Sequence, residues 1–312
     1  MEYEKALLSP NISWEEMNQG FKKPETLYKY QNFYNENGTE NPYWELNMNG
    51  EFHMSLGCEF EDINDCKPFL DKQWIKQYID KFLLSIQVEN ELRQEICLQL
   101  DDAITEKEIK QIASNYQETI RIGCFTNISD NDTMWDKYAN MKTGYCIAYD
   151  TKKHKLFESS TLPVLYCDVP YNSSLTFANS LILECFNRGK KRTSEENLKV
   201  FETIYRKILK TTYVPVFIKQ KSTWNFENEY RMFLLKNRNT RDETITMEQY
   251  MDEKFNIDLS DAITAIYLGE NFENNTRHEE ILERILILAN NKDIELYHKI
   301  RVNGKVENMR IV

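Results

Sequence analysis

The stretch KQKSTWNFENEYRMFLL, residues 219–235, carries the strongest structural signal in the chain. Its second half alternates with a period of two, and in a β-strand residues i, i+2 and i+4 share one face. The spacing therefore predicts that Glu227, Glu229 and Arg231 line one face of a strand. Phe226, Tyr230 and Met232 would line the other face, on which Asn228 is the exception. Neighbouring carboxylates repel each other, which raises the pKa of one of them unless a cation lies close. Arg231 is placed to be that cation.

This pattern has two interpretations. An acidic pair beside an arginine suits a site that binds hydroxyl groups or moves a proton. A strand of this kind is also typical of the solvated face of an antiparallel sheet, where cross-strand charge pairs are common. At the start of the same stretch, Lys219, Lys221 and Trp224 favour the functional interpretation, because the two lysines could hold phosphates. The lysines fit a solvated loop equally well.

Length and composition indicate a globular protein. The 312 residues are 41% hydrophobic and 12% aromatic, which is enough to bury a core in one large domain or two small ones. Lysine and arginine total 39 against 50 acidic residues, a formal net charge of -11. This balance argues against a broad phosphate-binding surface. Nucleic acid in a local basic groove stays open.

The cysteines and the N-terminal sequence indicate the compartment. Seven cysteines, an odd number, are scattered without a C-x-x-C pair, which is typical of buried free thiols in a reducing cytosol. The opening MEYEKALLSP lacks the features of a signal peptide, and no apolar run reaches the length of a membrane span. We therefore expect a cytoplasmic protein with no membrane attachment.

Hydrophobic periodicity predicts an α+β fold with a mixed, largely antiparallel central sheet. Strands are predicted at 26–30, 51–56, 120–125, 144–149, 162–166, 263–268 and 294–299, and Asn303-Gly304 predicts a C-terminal hairpin turn. Helical patterns fill most of the remaining chain. We interpret residues 1–312 as a single α+β domain with a helical insertion at about 68–118 and a helical pair at about 173–211.

Several motifs recur in one order along the chain: LYKY at 27–30, FEDINDC at 60–66, MWDKYANMKTGYCIAYD at 134–150, KQKSTWNFENEYRMF at 219–233 and IYLG at 266–269. In these motifs the chain resembles the bacterial domain-of-unknown-function family 2971. The usual asparagine-aspartate-proline loop of that family reads Asn64-Asp65-Cys66 here. The resemblance implies the place of a site more than its chemistry. Some members occur near phage-defence genes, which implies a role as a toxin or an antiviral effector.

A second set of residues is similar to the ADP-ribosyltransferase superfamily. In those enzymes the second glutamate of a late Glu-x-Glu strand holds a ribose hydroxyl of NAD and stabilises the cation formed as nicotinamide leaves. Glu227-x-Glu229 matches this motif, which gives that role to Glu229. Ser55 matches the hydroxyl of the middle strand. The early strand offers Lys29, followed by Tyr30, where the superfamily has arginine or histidine, and lysine pairs with phosphate as a point charge.

Other residues have both a structural and a functional interpretation. Trp135 and Tyr138 share one helix face, either in the core or as a stacking wall for a base or nicotinamide ring. His53 lies two residues before Ser55 on the same strand face and is the histidine we would test. The acidic loop around Asp62 and Asp65 favours a turn and a helix cap over a cation site, so no metal is predicted.

Three functions follow as hypotheses. The first is a nucleotide-handling enzyme, an ADP-ribosyltransferase-like effector with NAD as its substrate, in which Glu227 and Arg231 orient Glu229. The second is a non-catalytic ligand-sensing or scaffolding subunit that binds a protein partner in a defence system. The third is a metal-dependent nuclease that uses Asp62, Asp65 and Glu227.

Overall fold

The computed structural model describes residues 2–35, 37–188, 195–235 and 255–312. The chain divides into two compact units, each assembled from three separate segments. Unit 1 comprises Met1–Phe21, Leu56–Ile120 and Leu165–Ser222, and unit 2 comprises Lys22–Ser55, Arg121–Val164 and Thr223–Val312.

The described helices are spread over both units. In chain order they are α1 (Tyr3–Leu8), α2 (Trp14–Gly20), α3 (Trp44–Asn49), α4 (Lys72–Ser85), α5 (Asn90–Ala103), α6 (Glu106–Gln117), α7 (Asp132–Tyr138), α8 (Lys155–Ser160), α9 (Ser174–Arg188), α10 (Glu195–Thr211), α11 (Lys221–Trp224) and α12 (His278–Lys292).

The described strands are mostly short. In chain order they are β1 (Thr26–Gln31), β2 (Glu51–His53), β3 (Ser55–Leu56), β4 (Ile120–Thr126), β5 (Tyr145–Asp150), β6 (Thr161–Pro163), β7 (Leu165–Cys167), β8 (Ile218–Gln220), β9 (Glu229–Leu235), β10 (Asn256–Asp258), β11 (Ile263–Leu268), β12 (Glu295–Val302) and β13 (Lys305–Arg310).

A large mixed sheet forms the centre of unit 2. Its main path runs in the order β13-β12-β11-β5-β1-β4-β9-β6. Strands β11 and β12 are parallel, whereas the pairs β12/β13, β5/β11, β1/β5, β1/β4 and β6/β9 are antiparallel. Strand β5 lies in the interior because its sequence, YCIAYD, is almost entirely apolar or aromatic and therefore tolerates burial on both faces. The prediction of an α+β fold with a mixed, largely antiparallel sheet is confirmed.

The two faces of this sheet carry different cores. On one face the strands pack against apolar residues of α3, α8 and α12, in a cluster that includes Trp44, Phe157 and Ile285. On the other face a smaller cluster joins Tyr30 and Cys146 to α7. Alternation along each strand decides which residues reach which face.

Two turns of unit 2 depend on left-handed backbone. Asn303 and Gly304 have φ angles of 50° and 80° and join β12 to β13 as a two-residue hairpin, as predicted. Gly50 ends α3 with a φ of 97°, and its N–H donates to the carbonyl oxygens of Leu46 and Asn47. A Cβ at Gly50 would lie 2.3 Å from Cα of Ser260, so the position requires glycine for space as well as for conformation.

Unit 1 is largely helical. Helices α4, α9 and α10 share a core that includes Ile75, Ala178 and Ile204. Strands β7 and β8 form a separate parallel pair. Both predicted helical segments, at 68–118 and 173–211, fall in unit 1, and residues 189–194 of the second lie outside the described residues. The assignment of the whole chain to a single domain stays a prediction.

Two predicted strands are interrupted. The strand predicted at 162–166 is two strands, β6 and β7, because the N–H of Val164 between them donates to the carbonyl oxygen of Glu229 at 2.8 Å. The strand predicted at 51–56 breaks at Met54, whose N–H donates to Phe255 and whose carbonyl accepts from Nη1 of Arg121. In both places a backbone group leaves the ladder for another partner.

The state of the cysteines and the composition of the helices can be compared with the predictions from the sequence. All seven cysteines are free, as predicted, but burial holds for only some of them, since Cys58 and Cys185 are exposed. Among the helices that the structure describes, none combines the length and the apolar composition that crossing a bilayer requires.

Candidate functional site

Glu229 and Arg231 lie on β9, which runs between β4 and β6 in the unit 2 sheet. The intervening Tyr230, together with Met232 and Leu234, packs in the large cluster on one face of the sheet. Alternation therefore directs Glu229 and Arg231 to the opposite face, the one that α7 covers. For these residues the predicted division of the strand is correct. Phe226, predicted on the face of Tyr230 and Met232, lies in the turn before the strand and packs with the cluster that includes α7, so its predicted position is wrong.

Glu227 is not part of the strand, and its predicted strand position is wrong. Residues Asn225–Glu227 form a short 3-10 turn, and Asn228 follows in the left-handed region with a φ of 45°. The left-handed residue ends the turn and redirects the chain, so the regular alternation begins only at Glu229. Asparagine tolerates this conformation better than other non-glycine residues, which explains its presence within an otherwise alternating pattern.

The Glu229 carboxylate is held by Arg231 through two hydrogen bonds. Nε of Arg231 lies 2.8 Å from Oε1 of Glu229, and Nη2 lies 3.1 Å from Oε2. A two-bond contact of this kind fixes the plane of the carboxylate as well as its charge. Glu229 is 5% exposed, Glu227 4% and Arg231 0%, so the alternative of a solvated sheet face is wrong for all three residues.

Tyr138 links helix α7 to the turn before β9. Its hydroxyl donates to Oε1 of Glu227. Burial raises the pKa of the Tyr138 phenol well above its usual value, and the negative charges of Glu227 and Glu229 raise that pKa further. Asn131 caps α7 and donates through Nδ2 to the carbonyl oxygen of Phe226 at 2.6 Å, which fixes the turn against the helix. Both glutamates therefore raise the pKa of the same phenol, that of Tyr138.

Cys124 of β4 completes the group and was missed by the sequence reasoning. Burial raises the pKa of its thiol, the charge of Glu229 raises that pKa further, and the charge of Arg231 lowers it. Its place on the α7 face could have been read from alternation in IRIGCFT, since the neighbouring Phe125 packs in the cluster on the other face. We call Cys124, Tyr138, Glu227, Glu229 and Arg231 the acid cluster.

Two predicted aromatic residues lie in the core beside the acid cluster. Trp135 is 3% exposed, and its indole N–H donates to the carbonyl oxygen of Ser129 at 2.9 Å. Its ring and that of Tyr30 are nearly perpendicular, with 5.0 Å between the ring centroids. The Tyr30 hydroxyl donates to the carbonyl oxygen of Ile128 at 2.9 Å. The structure therefore gives both rings a packing role, and of the predicted stacking wall only Tyr138 contacts a carboxylate.

Three other predicted residues lie elsewhere in unit 2. Lys29 alternates with Tyr30 and so belongs to the opposite face of the sheet, where its Nζ lies 5.6 Å from the centroid of the Phe52 ring. His53 stacks on Tyr43 and has Nδ1 3.3 Å from Oδ1 of Asn256. Ser55 is half-buried at the start of β3. In the part of the chain that the structure describes, no hydrogen bond or ion pair joins these three residues to the acid cluster, but the charge of Lys29 does act on it by lowering the pKa of the Cys124 thiol.

The other predicted residues of the stretch 219–235, Lys221 and Trp224, are divided between the units. Lys221 is exposed at the start of α11 and belongs to unit 1. Trp224 belongs to unit 2 and is buried, with Nζ of Lys137 3.9 Å from its ring centroid. The contact is a cation–π interaction.

The acidic loop has the turn role that the sequence favoured. Oδ1 of Asp62 accepts the N–H of Asn64 at 2.9 Å. The helix cap predicted in this loop is wrong, because α4 begins later and is capped by Asp71, which accepts from the N–H of Trp74. Within the described residues no group of three or more histidine, cysteine, aspartate or glutamate side chains is arranged to hold a metal ion. Asp62 and Asp65 belong to unit 1 and Glu227 to unit 2, and the nuclease stays a hypothesis.

Comparison with known proteins identifies one family. Residues 134–232 match the model of a family described as Protein of unknown function (DUF2971). The matched segment contains Tyr138, Glu227, Glu229 and Arg231, whereas Cys124 lies before it. The resemblance to this family that the sequence indicated is confirmed over the segment. No curated protein and no solved structure matches the chain.

Proposed function

We propose that the chain is an enzyme that binds a ribose-bearing nucleotide at the acid cluster, with NAD as its substrate. The observation that supports this proposal is the burial of two carboxylates beside α7, Glu229 on β9 and Glu227 in the turn before it, each with a hydrogen-bond donor. Burying carboxylates is costly, and proteins place such groups where charge is needed for binding or catalysis more often than elsewhere.

Glu229 is the central carboxylate of the proposed reaction. In this reaction the bond between nicotinamide and the ribose breaks, nicotinamide leaves with the bonding electrons, and the ribose carbon becomes part of an oxocarbenium cation. A fixed negative charge in a site shielded from water stabilises a developing cation far more than it would in bulk water. Water or an acceptor group on a macromolecule then bonds to this carbon and loses a proton. The two hydrogen bonds from Arg231 hold the Glu229 carboxylate and orient its oxygens.

Glu227 and Tyr138 have an orienting role in this proposal. Their hydrogen bond fixes the phenol and the carboxylate together, and both groups can bind ribose hydroxyls. The raised pKa of Tyr138 keeps the phenol protonated, so that it remains a donor at neutral pH. In a cytoplasmic role as a toxin or antiviral effector, an enzyme of this kind would deplete NAD or transfer the ADP-ribose part of NAD to a macromolecule.

One observation favours a second function, a non-catalytic ligand-sensing or scaffolding subunit of a defence system with a protein partner. Arg231 is fully buried and engages both oxygens of Glu229, which is also the geometry of a structural ion pair. In that case the protein would bind a ligand or partner without turnover.

Incubation of the purified protein with NAD separates the two functions. We expect released nicotinamide, measured by chromatography, and a loss of at least 100-fold in rate for Glu229→Gln. The matched control is Glu307→Gln, which makes the same change at an exposed position of β13 and should leave the rate unchanged. The mass of the protein and of added RNA shows whether ADP-ribose is transferred.

Glu229→Gln places a neutral side chain beside the buried Arg231, which can impair folding and lower the rate for that reason alone. A second variant therefore tests the site with the ion pair intact. Tyr138→Phe keeps the ion pair and should lower the rate about 10-fold through loss of the orienting hydroxyl. The absence of nicotinamide release by the wild type, or equal release by the wild type and Glu229→Gln, rejects the enzyme. Binding of NAD without release supports the ligand-sensing subunit.

A further inference from the structure

Unit 1 contains a cavity of about 470 Å³, and every residue that lines it belongs to that unit. Its volume falls in the range of pockets that hold small organic molecules, roughly 300–1,000 Å³. The walls are the loop at residues 62–70, one side of α6, and the ends of β7 and β8 with the segment that follows β7. The acidic loop and residues 219–220, which the proposed reaction does not use, therefore line one cavity.

The walls of the cavity are tied to one another by hydrogen bonds. Nε2 of Gln117 on α6 donates to the carbonyl oxygen of Asp65 at 2.7 Å, which fastens the loop to the helix. The loop is also joined to the segment after β7, because Ser173 donates through its N–H to the carbonyl oxygen of Phe69 at 2.8 Å. The parallel pair β7–β8 places Lys219 opposite Tyr166. These bonds give the cavity a defined shape without a ligand.

The acidic residues that line the cavity are engaged by the protein itself. Asp62 accepts the N–H of Asn64, and Oδ1 of Asp168 accepts the N–H of Ser222 at 3.4 Å. Oδ2 of Asp65 lies 3.7 Å from Nζ of Lys219, and both of these side chains are more than nine-tenths buried. The three carboxylates therefore stabilise the turn at Asp62, the start of α11 and an internal ion pair, respectively.

Two of the three lysines that line the cavity are less committed than its carboxylates, and the third, Lys219, is paired with Asp65. Lys67 and Lys110 are exposed, and among the described residues neither ammonium group makes a hydrogen bond or an ion pair. Together with the buried Lys219 they supply three ammonium groups from three different walls. Lysines from separate elements that line one cavity favour an anionic ligand group.

Apolar side chains border the same cavity. Phe69 is 47% exposed and Val169 is 74% exposed, although both are large and hydrophobic. Ile109 of α6 and Pro215 add to this apolar lining. Exposed apolar side chains that face one cavity together commonly mark a ligand-binding surface.

We propose that this cavity binds a small organic anion that carries one acidic group, a phosphate, sulfonate or carboxylate, on an apolar body. Lys67, Lys110 and Lys219 hold the acidic group, and the body lies against Phe69 and Ile109. The site is independent of the proposed reaction, since it shares no residue with the acid cluster. A ligand there belongs to a second binding event on this chain.

The probe for this proposal is the aromatic sulfonate 8-anilinonaphthalene-1-sulfonate, whose fluorescence rises on entering an apolar pocket. We expect saturable binding of one molecule per chain that weakens as salt is added. The double variant Lys67→Glu and Lys110→Glu should bind at least 10-fold more weakly. Both positions are exposed, so folding is preserved. Lys81→Glu, at an exposed position of α4 outside the cavity, is the matched control and should bind as the wild type does.

A chemical measurement locates the bound probe. Cys167 lines the cavity, whereas Cys185 of α9 is exposed and does not. We expect the probe to slow alkylation of Cys167 by iodoacetamide, read by peptide mass spectrometry, and to leave alkylation of Cys185 unchanged. Binding without saturation, equal affinity of the double variant and the wild type, or equal slowing at both cysteines overturns the proposal.

Discussion

The Tyr138 hydroxyl is hydrogen-bonded to Oε1 of Glu227, although 89 positions separate the two residues in the chain. The bond connects the last residue of α7 to the turn that precedes β9. Because Glu227 is 4% exposed, water cannot readily replace a lost donor. The energetic role of this bond can therefore be measured by removing a single oxygen atom.

Tyr138→Phe should destabilise the protein by about 1–3 kcal/mol, because a buried carboxylate loses a donor while the ring volume is kept. Urea unfolding followed by circular dichroism measures the change. Tyr297→Phe is the control, since the Tyr297 hydroxyl donates to Glu295 at 3.0 Å at the surface and its loss should cost less than about 0.5 kcal/mol. Equal effects of the two changes would contradict the assignment of Glu227 to a buried site.

Removal of Arg231 should be more damaging than removal of its whole ion pair. Arg231→Met leaves the Glu229 carboxylate buried without the two hydrogen bonds from Arg231, which should cost about 3–5 kcal/mol. The double variant Arg231→Met with Glu229→Gln should regain at least about 1 kcal/mol of this loss. A double-mutant cycle in urea measures the coupling. Additive effects would show that the two side chains do not stabilise each other.

Gly50 and Gly38 provide a matched pair for backbone strain. Both have positive φ angles, 97° and 78°, but only Gly50 faces a neighbouring backbone at clashing distance, whereas a Cβ at Gly38 would meet nothing within 4 Å. Gly38→Ala should cost about 1–2 kcal/mol, the price of left-handed backbone alone. Gly50→Ala should cost more than about 4 kcal/mol. Thermal unfolding of the two variants gives the comparison, and similar melting temperatures would contradict the close contact with Ser260.

Lys210 predicts a specific pH dependence of stability. It is 2% exposed, with Nζ 3.1 Å from Sδ of Met17 and 5.0 Å from the ring centroid of Trp14, and burial lowers its pKa to about 8. The unfolded chain holds the proton up to about pH 10.4. Between these values the unfolded state binds more protons, so the contribution of Lys210 to the free energy of unfolding rises with pH.

Lys210→Met should therefore stabilise the protein below pH 8, on the order of 1–2 kcal/mol after allowance for partial solvent screening. The advantage should shrink as the pH rises from about 8 and disappear near pH 10.4. Urea unfolding of the wild type and the variant at several pH values measures the difference, in which the contribution of other titrating groups cancels. A difference independent of pH would show that the amine is not titrating in this window.

Much of the sheet could be predicted from the sequence, because its strands are short runs with strong local signals. The run at 263–268 is a strand with the predicted bounds, and the Asn303-Gly304 turn is formed as predicted. The same reasoning failed for Glu227, since one left-handed residue, Asn228, breaks an alternation that looks continuous in the sequence. Local periodicity cannot detect a single change of backbone hand.

The acid cluster could be predicted only in part. Glu229 and Arg231 belong to one strand, so their spacing was sufficient to pair them. Cys124 joins them through the order of strands in the sheet, which depends on pairing between distant segments and leaves no local mark. Alternation places Lys29 on the face opposite to Tyr30. This excludes Lys29 from the face of the acid cluster only once Tyr30 is known to pack against α7.

Each unit consists of three separate chain segments, and this determines how the protein can be divided experimentally. Unit 1 needs residues up to Ser222 and unit 2 needs segments on both sides of Leu56–Ile120. No single cleavage point separates the two units. Truncating the chain at one position inside it would therefore leave at least one of the units without one of its segments. Isolating one unit requires its three segments to be rejoined by new linkers, and paired fragments would have to reassemble rather than fold alone.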